Sequence, residues 1–205
     1  MKLPASYVQQ LEQSDQPKTE QYLRYGKLES GATVSFSLLE EDPFCYWLAW
    51  AAPVAKDSEE KGRPFRFLDE PSDREIEVEI GREYERALDF NQTGPRKPEL
   101  CFTWPVYNWD VKQVQVLEVP QISLRNQFAK YGLNKKYKNI LDWDFELTKY
   151  KAERTRYDLM IVPRDTDEHD EDAMEAAWKQ VQKAGFDLQE LLRNEPKANP
   201  FEPGN

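Results

Sequence analysis

A mainly β fold, with a helix between strands and a helical extension at the C-terminal end, is what this sequence predicts. Three observations carry that prediction. Short runs such as ATVSFSLL and RYDLMIVP mix apolar and β-branched residues with polar ones at or near alternate positions, the period of a half-buried strand. Clusters such as EDP, PSD and NQTGPRKPE punctuate these runs and carry the residues that favour turns. Two stretches, QISLRNQFAKYG and AMEAAWKQVQKAGFDLQELL, instead space their apolar residues at helical intervals.

Taken in order, the first thirty residues are polar and rich in Gln, with a weak helical pattern around Tyr22, Leu23 and Tyr25; residues 1–27 read as an arm leading into the domain. ATVSFSLL and FCYWLAWAA read as strands separated by the turn EDP, and KDSEEKG as a solvated loop before the extended RPFRFL. In REIEVEIGREY the residues Ile76, Val78 and Ile80 alternate with acids, which predicts a strand with one wet face. LCFTWPVYNWD is an apolar run whose Pro105 lacks an N–H donor and so belongs at an edge or a bulge. In VKQVQVLEVP the alternation through Val114 and Val116 is broken by Leu117, which predicts a bulge or a strand end there.

Ile122, Leu124, Phe128 and Tyr131 then mark a helix that Gly132 can stop, and LNKKYKN reads as a basic loop. DWDFELTKY and RYDLMIVP form a hairpin around KAERT, with Trp143, Phe145, Leu159 and Ile161 assigned to the core. After the acidic run, Met174, Ala177, Trp178, Val181, Leu188, Leu191 and Leu192 make a helical stripe interrupted by Gly185, and RNEPKANPFEPGN, with three Pro, is expected to be disordered. The organisation that follows is an arm at 1–27, a β domain at 28–164 and an acidic, helical and disordered segment at 165–205.

The chain has 205 residues and is 39% hydrophobic, with 6 Trp, 10 Tyr and 10 Phe, enough for one core if the rings bury well. It lacks an apolar stretch of the ~18–20 residues that a membrane span requires, and its first residues lack the apolar middle of a signal peptide, so a cytoplasmic location is expected. Cys45 and Cys101 stand far apart in apolar runs and read as buried thiols, while the lone His169 lies in the acidic run and reads as solvated.

No phosphate loop, dinucleotide turn, nucleophile elbow or HExxH helix occurs. Asp142, Asp144 and Glu146 could share a strand face and hold Mg²⁺ for nuclease chemistry, but such spacing arises on any wet strand face. The reading is therefore non-catalytic, with no cofactor. Net charge is −10, which by itself argues against a polyanion partner. The distribution reverses that inference: residues 111–164 hold eleven Lys and Arg against six Asp and Glu, whereas 165–175 hold seven acids and neither Lys nor Arg.

Rings stack on bases and cations follow phosphates, so alternation of the two types within strands points to single-stranded nucleic acid. Candidates for stacking are Tyr46, Trp47, Trp50, Trp104, Trp109, Tyr150 and Tyr157, and for phosphate contact Arg63, Arg66, Lys149, Lys151, Arg154 and Arg156. The charges of the hairpin turn weigh most, because they cannot be buried unpaired. The acidic run could occupy a positive groove in cis, recruit a basic partner, or simply cap the helix that follows.

From about Trp104 to Pro163 the chain resembles the single-stranded DNA-binding proteins of tailed bacteriophages. VYNWDVKQVQVLEVPQISLRNQF and ILDWDFELTKYKAERTRYDLMIVP carry the likeness, with GRPFRFL upstream similar to that family's first barrel strands. The resemblance implies an OB-like Greek-key barrel with more strands than the usual five, and single-stranded DNA binding in phage replication, recombination or repair. It also implies partner recruitment by the acidic C-terminal segment. Relatives of this kind often carry a zinc ribbon within the barrel; residues 80–100 here lack Cys and His ligands, so an insertion would be metal-free. The competing reading is an acidic protein-interaction module, or DNA mimic, that docks a host enzyme.

Overall fold

The computed structural model describes residues 20–54, 62–195 and 198–203. Most of the N-terminal arm, the KDSEEK loop and the last two residues lie outside that part. The described residues form a mainly β molecule with one eight-stranded antiparallel sheet. Its strands are β1 (Thr33–Leu38), β2 (Phe44–Pro53), β3 (Arg63–Phe67), β4 (Tyr84–Arg86), β5 (Glu99–Asn108), β6 (Gln113–Val119), β7 (Trp143–Lys151) and β8 (Thr155–Pro163). Helix α1 (Asp73–Ile80) lies between β3 and β4, α2 (Ile122–Gly132) between β6 and β7, and α3 (Glu171–Lys183) after the sheet.

Strand β5 is the hub. One of its edges carries β6, from Phe102↔Val119 to Asn108↔Gln113. The other is shared by β2, up to Phe44↔Thr103, and by β1, from Leu38↔Val106, so β1 and β2 run as one bent strand. Pro105 falls in the gap between these two ladders, where its carbonyl accepts the Leu39 N–H at 3.0 Å and no ladder partner calls for the missing donor. The far edge of β1 pairs with β7, and β7 pairs with β8 along its whole length.

The main core lies inside this curve: Phe36, Leu38, Trp104, Val106, Leu117, Phe145 and Leu147 pack against Leu124 and Phe128 of α2. Helix α2 also completes the edge of β8, where Gln127 accepts from Leu159 N at 2.8 Å and donates to the Tyr157 carbonyl at 3.0 Å, and Tyr131 donates to the Leu159 carbonyl at 2.9 Å. An edge strand needs partners of this kind to keep it from pairing with other chains. Phe145 and Leu159 are buried as expected, and Trp143 and Ile161 are half-buried.

Three expectations fail for physical reasons. Leu117 makes no bulge: β6 stays in register because both of its faces are covered, Leu117 by the main core and Val116 by the C-terminal segment. The run REIEVEI is helical. Ser72 and Glu75 form a capping box, in which Ser72 Oγ accepts the Glu75 N–H at 3.3 Å and Glu75 Oε2 accepts the Ser72 N–H at 2.7 Å, and the fourfold spacing buries Ile76 and Ile80 while Val78 stays exposed.

The third concerns the chain's end. Phe201 packs against Phe186, and the Asp187 N–H reaches the Pro200 carbonyl at 3.0 Å, so the described part of the proline-rich tail is ordered. The interrupted stripe is borne out: Met174, Ala177, Trp178 and Val181 cover Tyr107 and Val114, while Leu188, Leu191 and Leu192 cover Tyr46, Leu48 and Val116. Gly185, at φ +94°, makes the reversal between the two halves. None of the helices in the described residues is long and apolar enough to cross a membrane.

Candidate nucleic-acid interface

Residues 20–28 strap the mouth of the curved sheet. On one side the Leu23 N–H donates to the Val116 carbonyl at 2.9 Å and the Val116 N–H to the Gln21 carbonyl at 2.8 Å. On the other, Lys149 Nζ donates to the carbonyls of Gly26 and Leu28, both at 2.6 Å, and Tyr25 meets Tyr157 edge to face at 5.0 Å. Two clefts flank this strap and share Tyr25 and Gly26.

The first cleft, of about 540 Å³, is lined by Tyr22, Arg24, Trp50, Arg63, Arg66 and Glu118. Arg66 pairs with Glu118 at 2.9 Å, and the Tyr46 hydroxyl donates to the same carboxylate. Burial opposes the Arg66 charge, but Glu118 and Tyr46 outweigh it and hold the guanidinium above its ordinary pKa; burial, then Glu118, pushes the Tyr46 phenol well up. Arg63 lies over the rings of Phe65 at 4.5 Å and Tyr84 at 5.1 Å, and its Nε is buried with no hydrogen-bond partner among the described residues. The same is true of Trp50 Nε1.

The second cleft, of about 750 Å³, is lined by Trp47, Arg96, Glu99, Arg125 and Tyr157. Arg96 grips Glu99 at 2.9 Å and lies 5.2 Å over the Trp50 ring, which ties the two clefts together. Arg125 lies 5.6 Å over Phe102, and its buried Nε lacks a hydrogen-bond partner among the described residues. A third hollow, of about 590 Å³, is less cationic, since Glu20 there pairs with both Arg24 and Lys27 at 3.3 Å.

The residues singled out from sequence are thus divided. Trp47, Trp50, Arg63, Arg66 and Tyr157 line the clefts. Tyr46, Trp104 and Trp109 are buried and offer no open ring face: Tyr46 lies under the C-terminal segment, and Trp104 packs 4.8 Å from Phe128. Lys149 is committed to the strap. Strand alternation places Tyr150 and Arg156 on the opposite face of the hairpin from Tyr157, with Arg156 paired to Asp158 at 3.0 Å and lying over Tyr150 at 5.2 Å. Lys151 and Arg154 stand exposed near the tip.

Sequence reasoning missed Tyr25, Arg96 and Arg125 as cleft residues. Arg96 and Arg125 sit in a loop and on a helix surface, where nothing in the local pattern separates them from solvated arginines.

It also misplaced His169, and of its three readings of the acidic run the helix cap is the one the structure bears out. His169 stacks on Trp109 at 4.1 Å and 2°, with Nδ1 2.6 Å from Asp144 Oδ2. Asp144 is fully buried and also takes Ser37 Oγ, Arg164 Nε at 3.1 Å and Trp109 Nε1 at 3.3 Å. Its oxygens are occupied by protein donors, Asp142 turns to Asn139, and no group of three metal-ligating side chains occurs among the described residues. The acidic run is no detached tail: Asp170 caps α3 by accepting from Ala173 N at 3.0 Å, and Glu171 pairs with Arg164 at 2.6 Å. Cys101 is buried and Cys45 half-buried, both as free thiols.

Comparisons of the chain with family models, with curated proteins and with solved structures find no match.

Proposed function

We propose that the protein is a non-catalytic binder of single-stranded DNA, and that the strand lies across the two clefts that meet at Tyr25 and Gly26. The observation that carries this reading is the composition of that surface: Tyr22, Tyr25, Trp47, Trp50 and Tyr157 line contiguous hollows together with Arg24, Arg63, Arg66, Arg96 and Arg125, against the two acids Glu99 and Glu118. Flat rings accept any base at about 1–3 kcal/mol each, and guanidinium groups follow the backbone.

The connectivity supports an OB-like reading of the sheet. The bent β1–β2 strand pairs with β5 and β7, β5 with β6, and β7 with β8, while a helix links β6 to β7 and the β3–α1–β4 unit is inserted within the first hairpin. Helix α2 and the strap fill the place where β6 and β8 would meet. A role in phage replication, recombination or repair rests on the resemblance alone.

Titration with oligo(dT) at several salt concentrations tests the proposal. Quenching of Trp fluorescence, with affinity that falls as salt rises, is expected, and duplex DNA should bind more weakly. The second reading, an acidic surface that docks a basic protein, is favoured by the exposed acids at Asp165, Asp167, Glu168 and Asp172; a chain that ignores oligo(dT) would leave it standing.

A further inference from the structure

The loop between β4 and β5 leaves its one aromatic ring in water. Phe90 is 101% exposed, more open than any other large apolar side chain described. A flexible loop could fold such a ring back onto the surface, but this one is held in shape. The Asp89 carboxylate accepts Thr93 N at 2.9 Å and Thr93 Oγ1 at 2.7 Å, the Asp89 N–H donates to the Gly94 carbonyl at 2.9 Å, and Leu88 bridges to Pro95. Gln92 adopts φ 57°, which closes the turn. The ring is therefore presented with little ordering left to do on binding.

The base of the loop is fastened to the clefts. The Ala87 N–H donates to the Trp50 carbonyl at 2.8 Å, the Arg96 N–H to the Ala87 carbonyl at 2.8 Å, and the Arg96 guanidinium covers the Trp50 ring. The loop's one acid, Asp89, is held below the usual carboxylate range by its bonds from Thr93 and keeps its charge, while Lys97 stands exposed beside Arg96. A rigid apolar ring with cations at its foot, fixed to the rim of a surface for single strands, matches the chemistry of a side chain that enters an opened base step.

We infer that Phe90 is a wedge that unstacks the first base pair where a bound single strand meets duplex, giving the protein a strand-opening activity. The inference rests on the single-strand reading of the clefts. Its test uses the full chain and a DNA hairpin with a 3′ or 5′ dT overhang, labelled so that opening of the stem changes energy transfer, alongside oligo(dT) titration.

Phe90→Ala should bind oligo(dT) within about twofold of wild type but open the stem roughly tenfold more slowly at saturating protein, and Phe90→Trp should restore the rate. Unchanged opening by Phe90→Ala overturns the wedge and leaves the clefts' role intact. So does a loss of opening matched by an equal loss of oligo(dT) affinity, which would make Phe90 an ordinary stacking contact, or a change in oligomeric state, which would make it a protein contact. A wild-type chain that does not bind oligo(dT) overturns both readings at once.

Discussion

Trp104 and Trp50 stand on strands paired in one sheet, yet one is core and the other lines a cleft. Trp104 lies on β5 beneath α2, close to Phe128 and Phe102, and is 4% exposed. Trp50 lies half-buried on β2 at the rim of the first cleft, with Arg96 over its ring. The difference is set by which segments return over the sheet. Helix α2 covers the interior, and the C-terminal segment covers β5 and β6 from the other side through Met174, Leu188 and Leu191. At Trp47 and Trp50 those covers leave the clefts open.

The largest effect expected follows from that contrast. Trp104→Ala should cost about 3–5 kcal/mol of stability in urea unfolding, because it removes a large ring from a packed interior. Trp50→Ala should cost well under half as much, since a partly exposed ring leaves a smaller void. Equal costs would make Trp50 a core residue and would close the first cleft as a stacking site.

The tightness of the C-terminal cover can be read at alkaline pH. Burial, then the nearby Glu118, pushes the Cys101 thiol from 9.0 to about 12, and burial also raises Tyr46 and Tyr25. The unfolded chain loses these protons first, so the folded state should lose stability as pH rises from about 9 towards 12. Cys101 should resist alkylation in the native protein and react on unfolding. Rapid labelling of native Cys101, followed by mass spectrometry, would mean that the cover opens readily.

On the open side, Trp47→Ala should weaken oligo(dT) binding by about 5- to 150-fold, the factor that corresponds to losing roughly 1–3 kcal/mol of stacking. Arg125→Ala should lower the slope of log affinity against log salt by about 0.7, as for one lost phosphate contact on a single strand. Trp104→Ala, assayed under conditions where it is folded, should leave affinity near wild type; if it weakens binding as Trp47→Ala does, the distinction between covered and open rings fails.

The strands were legible because their signals are local: β1, β7 and β8 follow from period two, β2 from an apolar run bounded by turn residues, and the α2 stripe from period 3.6. The capping box of α1 was also present, as Ser72 followed by Glu75, but the alternation of Ile76, Val78 and Ile80 masked it. What the sequence hid was non-local. Leu117 appears out of phase only because a segment some seventy residues later packs on the other face of its strand. His169 reaches Asp144 across 25 residues and Trp109 across 60, so no window shows that it is packed. Arg96 and Arg125 join one cleft from a loop and a helix, which only the fold brings together.

The hairpin tip gives the smallest effect and the sharpest limit on the site. From sequence the charges of the hairpin turn, Arg154 and Arg156 among them, weigh most as phosphate contacts. In the fold Arg156 is already paired with Asp158, its side chain is 69% exposed, and it shares the hairpin's outer face with Tyr150, away from Tyr157 and the second cleft. An exposed cation near but outside a groove acts mainly through long-range attraction, which salt screens within about 10 Å at 0.1 M. Arg154→Glu with Arg156→Glu should therefore slow association at low salt and change affinity by no more than about threefold at 0.15 M. A loss as large as that of Trp47→Ala would show that the strand turns over the tip and runs along the outer face, which would move the site from the clefts to the hairpin.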